Sequence, residues 1–272
     1  MNINTSFGAG LSSGINRATE GLNTSFDRIS SGKRINSASD DAAGLSIVNR
    51  MSSEIRGFAQ STRNANDGIS FLQTTSAGLS SLTDGIQRIR ELALQASNGI
   101  LSDDDRNIIN AEAQQIKSEL SRTIDSAQFN GRPLFNSDDS ISIQVGDKAE
   151  DGVDISTSNF EQLMSDAGLD NLDLSTAAGA YAAIDSVDQL QSDINSSNAN
   201  VGAGLNRLSS TIESLGARDL ATQASRSRIE DADMAKEISE MTSNKIKLEV
   251  AIAMQAQANA QKSSVLKLLE GL

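Results

Sequence analysis

The chain has 272 residues and a net charge of −13, and it contains no His, no Cys and no Trp. Without His and Cys it lacks the commonest general base, the commonest thiol nucleophile and the usual zinc ligands, so we expect a protein that is not an enzyme and has no catalytic, metal or cofactor site. Aromatic residues make up 3% of the chain and there is one Pro, which favours long helices packed through small aliphatic side chains.

An apolar stripe runs along the first thirty residues at spacings of three and four, and from Phe7 onward it repeats every eleven residues. This repeat predicts a helix with nearly straight or slightly right-handed packing. Gly32 is suited to the left-handed cap that closes the helix. The stripe consists of Ile3, Phe7, Leu11, Ile15, Ala18, Leu22, Phe26 and Ile29.

Ser39-Asp40-Asp41 marks the start of a second helix. Between 48 and 96, apolar residues recur in steps of three and four, which predicts a helix of about 55 residues and roughly 80 Å in length. We expect a third helix from Ser102, where Asp105 completes a capping box, to about Ala127.

The helical pattern breaks at Asn130-Gly131-Arg132-Pro133. Beyond this break, alternating apolar residues predict two short strands, 140–145 and 153–156, joined by a turn. Steps of three and four return between 184 and 215, which makes this segment a candidate coiled-coil partner for the 48–96 helix.

The last forty residues carry apolar side chains on more than one helical face. A monomer would leave one of these faces in water, so the pattern indicates more than one neighbour. One face holds Ile238, Met241, Leu248 and Ile252, another holds Ile246, Val250 and Met254, and Val265, Leu266, Leu268, Leu269 and Leu272 follow.

The negative charge is concentrated in one segment. Residues 137–195 carry thirteen acidic side chains and one basic side chain, Lys148, whereas residues 1–42 and 233–272 are each net neutral. Neutral ends with mixed signs can pack against copies of themselves, but an acidic block stays solvated. The pattern fits either an ordinary acidic loop region or a polymer subunit with a solvent-facing middle. Because no basic stripe exists, nucleic-acid binding is disfavoured.

Together these patterns predict a mostly α fold, a long antiparallel helical bundle or coiled coil with a small β-hairpin element. No signal peptide is readable at the N-terminus, and no stretch approaches the roughly 20 apolar residues needed to cross a bilayer. We therefore expect no membrane insertion, and either a cytosolic protein or one exported without a cleaved signal peptide.

Short motifs stand in a recognisable order along the chain: Leu22–Ser25, Ser30–Asn36, Asp40–Gly44, Arg63–Ser70, Gln87–Ala93, Gln128–Gly131 and Ala224–Asp233. With these motifs the chain resembles bacterial flagellin, the subunit of the flagellar filament, over about 1–135 and 196–272. Ile143–Gly146 also resembles the central hairpin of that family. The chain looks like a short form that lacks the outer domains of larger flagellins.

The resemblance implies a subunit folded back on itself, with its N- and C-terminal helices paired in the inner tube of an extracellular filament used for swimming. Residues 1–42 and 233–272 would form that tube, and 43–232 an outer-tube bundle with an acidic hairpin region at about 137–175. The subunit would polymerise with itself after export through the flagellar secretion apparatus. The expected inner-tube residues are Ile3, Phe7, Leu11, Ile15, Leu22, Phe26, Ile29, Ile238, Met241, Leu248, Ile252, Leu266 and Leu269.

The resemblance also implies other partners: an export chaperone at the C-terminal helix, the filament cap and hook-junction proteins, and the vertebrate innate-immune flagellin receptor. Ile116 stands where relatives that the receptor recognises well carry Arg. Alternatively, Arg88 and Glu91 simply support subunit contacts and pairing on the helix surface. The residues expected on a receptor surface are Arg88, Glu91, Leu92 and Glu112.

Two other functions are compatible with parts of the pattern. A hook–filament junction protein resembles flagellin at both ends, but the continuous match at 63–93 and 224–233 argues against it. A soluble coiled-coil signalling module would form a stable helical dimer that never grows into a polymer.

Overall fold

The computed structural model describes residues 3–146, 148 and 150–270, and at the two ends it describes side chains only from Gly10 and up to Ser264. The described residues fold mainly into helices, with two small antiparallel strand pairs, which confirms the predicted fold class. The elements are α1 Ile3–Ser31, α2 Ala42–Ala96, α3 Asp103–Ser126, β1 Gln128–Phe129, β2 Arg132–Pro133, β3 Ser140–Gln144, β4 Gly152–Ser156, α4 Phe160–Asp166, a 3-10 turn Leu169–Asn171, α5 Ala177–Glu230 and α6 Met234–Glu270.

Backbone contacts divide the chain into two units. We call Arg56–Asp219 the bundle unit, and the chain up to Ile55 together with the chain from Leu220 the terminal unit. The predicted division at 42/43 and 232/233 concerns positions in a filament, which contacts within one subunit do not test. It therefore stays a prediction.

The predicted helix boundaries are found at the residues that suit them. Gly32 has a φ of 69° and follows the last residue of α1. The carboxylate of Asp41 accepts a hydrogen bond of 2.8 Å from the Gly44 N–H at the start of α2. At α3, the Ser102 hydroxyl accepts from the Asp105 N–H, and the Asp105 carboxylate accepts from the Ser102 N–H. This reciprocal pair is the predicted capping box.

Within the bundle unit, α2 and α5 pack antiparallel. Arg90 pairs with Asp188 at 2.7 Å, and a Cβ atom built on Gly204 would lie 3.0 Å from Leu72. The residue numbers on α5 therefore increase along the contact as those on α2 decrease. The contact confirms that the two helices pack against each other. The core between the elements is aliphatic and includes Leu72, Leu79, Leu82, Ile86, Ile89, Leu120, Ile124, Val187, Leu190, Ile194 and Leu208.

Aromatic rings complete this core where α2 meets the segment after β2. The Phe135 and Phe160 rings meet edge to face with centroids 5.4 Å apart, and Phe71 meets Phe129 at 5.8 Å. A Cβ atom built on Gly78 would lie 2.6 Å from the Phe135 ring, so this close approach depends on Gly at position 78.

The corner between α2 and α3 is held by a buried arginine. Arg106 donates hydrogen bonds of 3.0 Å to the Ala96 and Asn98 carbonyl oxygens, and its third partner is the Asp103 carboxylate at 3.2 Å. The guanidinium thus satisfies the Ala96 carbonyl, which the end of α2 leaves without a helical donor, and it joins the Leu101 N–H at the Asn98 carbonyl. A buried cation is costly unless it is hydrogen-bonded in this way.

Two hairpins follow α3, and only the second was predicted. The predicted break at 130–133 is a tight hairpin: β1 pairs with β2, and Asn130 and Gly131 at its turn have φ values of 51° and 79°. In the predicted hairpin, β3 pairs antiparallel with β4, with Ile143 opposite Val153. The Asn64 side-chain amide donates to the Gln144 carbonyl and ties this hairpin to α2.

The acidic region after the hairpin is better packed than its charge suggested. It contains α4 and the 3-10 turn, which the sequence did not predict, and α5 begins at Ala177 and not at 184. Side chains of α3 hold the region: Lys117 donates to the Asp170 carbonyl, and Asn110 accepts from the Leu174 N–H. Its carboxylates are exposed, but Phe160, Met164, Leu169, Leu172 and Leu174 are buried in the core.

Candidate assembly surface

In the terminal unit, the turn that follows α1 and the turn that precedes α6 are hydrogen-bonded to each other. The Ala232 N–H donates to the Gly32 carbonyl at 3.0 Å, and the Arg34 N–H donates to the Glu230 carbonyl at 2.6 Å. The Arg34 guanidinium also donates to the Ile229 carbonyl at 2.6 Å. We call residues 32–34 with 229–232 the joint. It places the end of α1 beside the start of α6.

Two buried carboxylates lie at and beside the joint. Glu230 in the joint is bound by Lys33 at 2.6 Å and by Arg226 at 3.6 Å. Glu237, one turn into α6, is bound by Arg28 of α1 at 3.2 Å, and its side chain is 5% exposed. Each carboxylate comes from the C-terminal part of the chain, and each takes a cation from the N-terminal part.

The loop that follows the joint is organised by Asp40. Its carboxylate accepts from the N–H groups of Ser37 and Asn36, at 2.9 and 3.1 Å, and from the Ser37 hydroxyl at 3.0 Å. These hydrogen bonds hold the pKa of Asp40 below its ordinary value, and the bond from the Ser37 N–H has the largest effect. Ile35 is buried within the same loop.

Small residues of α1 form part of its contact with α6. Ala18 and Ser25 of α1 are buried, and a Cβ atom built on Gly21 would lie 2.5 Å from the Asn244 side-chain amide. The expected inner-tube set omitted these residues because it was chosen by apolar size. The small residues at 18, 21 and 25, spaced by three and four, were the available signal.

The expected inner-tube residues are only partly covered. Leu11, Ile15, Leu22 and Ile29 of α1 and Met241 and Leu248 of α6 are half-buried. Phe26 is 62% exposed, and Ile238 and Ile252 are exposed too. The side chains of Ile3, Phe7, Leu266 and Leu269 lie outside the described side chains.

The second predicted apolar face of α6 is exposed. Ile246, Val250 and Met254 all lie open to solvent, as do Ile238 and Ile252. Exposed apolar surface of this kind is typical of sites at which soluble proteins bind other chains. Among the described residues, no helix has the length and apolar character needed to cross a membrane.

The residues expected on a receptor surface divide into two groups. Arg88 donates to Glu112 at 2.6 Å and to Glu91 at 2.9 Å, and all three are exposed. The hydrogen bond to Glu112, followed by that to Glu91, raises the pKa of Arg88. Leu92, by contrast, is 2% exposed and belongs to the bundle core. Placing its side chain on a surface was therefore wrong; at spacing three from Ile89 it lies on the inner face of α2.

Two family models match the chain, the bacterial flagellin N-terminal helical region over residues 3–140 and the bacterial flagellin C-terminal helical region over residues 184–269. The flagellin of Listeria innocua is 38% identical over 260 residues, which are 90% of this chain and 91% of that protein. The flagellin of Halalkalibacterium halodurans is 36% identical over 270 residues, 99% of this chain and 96% of that protein.

Solved structures agree with these matches. Bacillus cereus flagellin superimposes with a TM-score of 0.51 at 29% identity, over 56% of this chain and 88% of that one. A structure described as a flagellar hook-associated protein of Vibrio parahaemolyticus gives a TM-score of 0.62 at 16% identity, over 71% of this chain and 100% of that one. At that identity it shares the fold alone. The family models and the curated relatives, which cover both ends and nearly the whole length, show that the chain belongs to the bacterial flagellin family.

Proposed function

We propose that this flagellin polymerises through the exposed apolar faces of α1 and α6. A flagellin is a structural subunit of the bacterial flagellar filament, an extracellular polymer. The observation that carries the proposal is the contrast between the closed core of the bundle unit and the exposed Phe26, Ile246, Val250 and Met254 of the terminal unit. Burying such side chains against neighbouring subunits stabilises a polymer by roughly 1.5–3 kcal/mol for each fully covered Leu, Ile, Val, Phe or Met.

In the proposed filament, residues 1–42 and 233–272 form the inner tube, and 43–232 form the outer tube. The expected inner-tube residues then act in two groups. The half-buried ones, such as Leu22 and Leu248, hold α1 against α6 within a subunit. The exposed ones, such as Phe26, Ile238 and Ile252, contact neighbouring subunits. The exposed carboxylates of 137–175 stay in solvent on the outer side, where they keep filaments apart.

The experiment is seeded filament growth, followed by negative-stain electron microscopy and sedimentation. Ile246→Ser combined with Val250→Ser should raise the critical concentration at least about tenfold, because covering either side chain contributes more than the 1.4 kcal/mol of a tenfold change. Ile100→Ser, at a residue that is 88% exposed in the α2–α3 corner, is the matched control and should grow like the parent.

The same experiment separates the alternatives. A parent chain that never lengthens a seed would contradict polymerisation. A hook–filament junction protein would bind filament ends and stop there, and a signalling module would stay a dimer at every concentration. Equal growth of the parent and the Ile246/Val250 variant would place the subunit contacts elsewhere.

We propose that an export chaperone binds the exposed face of α6 before assembly. The chain is then exported through the flagellar secretion apparatus without a cleaved signal peptide. A variant lacking residues 233–272 should lose chaperone binding in a pull-down; full binding would refute this assignment. The filament cap and hook-junction proteins are the proposed partners at the two filament ends, where α1 and α6 faces stay open. Removing the cap protein should prevent growth at its end.

Arg88, Glu91 and Glu112 are the proposed contacts for the vertebrate innate-immune receptor. They form one exposed, hydrogen-bonded charge cluster on α2 and α3. Arg88→Ala should reduce receptor signalling while seeded filament growth stays normal. If growth fell and signalling did not, the cluster would serve subunit contacts alone.

A further inference from the structure

Apolar packing alone does not define how far α6 is shifted along α1. Met241 and Leu248, two half-buried residues of α6, stand seven residues apart. Sliding α6 by seven residues would bring Leu248 into the place of Met241 and Gln255 into the place of Leu248. The contact of Gly21 with the Asn244 amide involves a flexible polar side chain. A slide of seven residues therefore keeps one of these two apolar contacts, so the apolar repeat by itself distinguishes the registers only weakly.

Charge, by contrast, distinguishes these registers. Among the described residues, the buried carboxylates are Glu230 and Glu237, and both belong to the terminal unit. A slide of four or seven residues would put Met241 or Asn244 in the place of Glu237 and would take the carboxylate away from Arg28. A buried carboxylate without its cation is strongly destabilising.

The Arg28–Glu237 contact depends on a single hydrogen bond. One hydrogen bond joins Arg28 Nη1 to Glu237 Oε1 at 3.2 Å. Arg28 Nε and Glu237 Oε2 are buried and have no hydrogen-bond partner among the described residues. No second protein donor near Glu237 would therefore compensate for the loss of Arg28.

We propose that Arg28 and Glu237 are positioning residues that set the register of α1 against α6, while Lys33 and Glu230 anchor the joint beside them. The register decides which apolar side chains of the pair face outward. The proposal rests on the proposed function in one respect: those outward side chains are the ones that neighbouring subunits cover. A single buried polar group that fixes the register of a helical pair is the best-attested use of such groups.

The chain has no Cys, so introduced cysteines can report the register directly. Gly21→Cys with Asn244→Cys reports the observed register, because a Cβ atom built on Gly21 would lie 3.1 Å from Asn244 Cγ, and a disulfide needs two Cβ atoms about 3.5–4.5 Å apart. Gly21→Cys with Ala251→Cys reports a slide of seven residues. Disulfide yield is measured in the monomer and again in filaments.

In the parent background, the 21–244 disulfide should dominate. Arg28→Glu should lower its yield about fivefold and raise that of the 21–251 disulfide, because two buried carboxylates would then face each other. Adding Glu237→Arg should restore the 21–244 yield. Lys236→Glu, which alters an exposed ion pair on the same helix, is the matched control and should change neither yield.

Two outcomes overturn the inference: an unchanged 21–244 yield in Arg28→Glu, or a lost yield that the swapped pair does not restore. A merely structural role would not produce this rescue or the gain at 251. Failure of the proposed function has a different signature, since the parent would then form the 21–244 disulfide and still grow no filaments.

Discussion

The bundle unit and the terminal unit are built from similar residues, but they bury their large apolar side chains to different degrees. In the bundle unit, α2, α3 and α5 bury rows of Leu and Ile, and the short segments after α3 add Leu134, Phe135 and Phe160. In the terminal unit, small residues hold α1 against α6, and large apolar side chains such as Phe26 and Ile246 remain exposed. The bundle unit buries most of its large apolar side chains, although Ile100 and Ile108 are exposed, whereas most of the described large apolar side chains of α6 are exposed. Two pairs of substitutions test this difference, and a third pair tests the capping box of α3.

Two phenylalanines give the largest expected contrast. Phe135→Ala removes a fully buried ring and should lower the free energy of unfolding by about 3–5 kcal/mol. Phe26→Ala removes an exposed ring and should change it by less than about 0.5 kcal/mol, while slowing seeded growth. Urea unfolding of both variants checks the first effect, and growth curves the second. A large loss of monomer stability in Phe26→Ala would show that α1 is covered within the subunit.

Two glycines with equally short contacts should respond differently. A Cβ at Gly78 would lie 2.6 Å from the Phe135 ring, and one at Gly21 would lie 2.5 Å from the Asn244 amide. The ring is fixed by its neighbours, so Gly78→Ala should cost about 1–3 kcal/mol. The amide can rotate away, so Gly21→Ala should be near neutral, aided by up to about 1 kcal/mol of helix propensity. Thermal unfolding measures both; equal losses would mean that the terminal pair is packed as rigidly as the core.

The smallest expected effect concerns acid. The Ser102 hydroxyl, and after it the Ser102 N–H, lower the pKa of Asp105. A lowered folded-state pKa stabilises the fold above the ordinary value of 3.8, and this contribution disappears as the pH falls through the folded-state pKa. Asp105→Asn should thus be less stable than the parent at neutral pH and approach it in strong acid. In a Ser102→Ala background, the stability difference between the chains with and without Asp105→Asn should be smaller. Urea unfolding across the pH series measures this difference; a difference that is constant with pH would show that the charge of Asp105 does not contribute to the cap.

Local sequence patterns were sufficient to predict most of the helices and strands. Gly32, Asp41 and the Ser102–Asp105 box ended or began helices where the sequence predicted, because each acts through neighbouring backbone groups. Alternation of apolar residues likewise located β3 and β4. The β1–β2 pair escaped prediction because its strands are two residues long, too short for any alternation to show.

Long-range contacts were harder to foresee. The acidic composition of 137–175 hid the apolar residues of α4 and the 3-10 turn, whose burial depends on α3 side chains far away in the chain. On the assembly surface, periodicity found the apolar residues but not Arg28 or Glu237. A charged residue on an apolar face reads as solvated until its partner, here 209 residues away, is known.

That separation has a consequence for the order of folding. Arg106 reaches its carbonyl partners across only eight and ten residues, so the α2–α3 corner can close as soon as both helices exist. Arg28 must wait for Glu237. Contacts between near neighbours form quickly, whereas distant ones must first overcome the entropy of closing a long loop. During synthesis the corner can close early, whereas α1 stays without its intrachain partner until α6, Met234–Glu270, has been added.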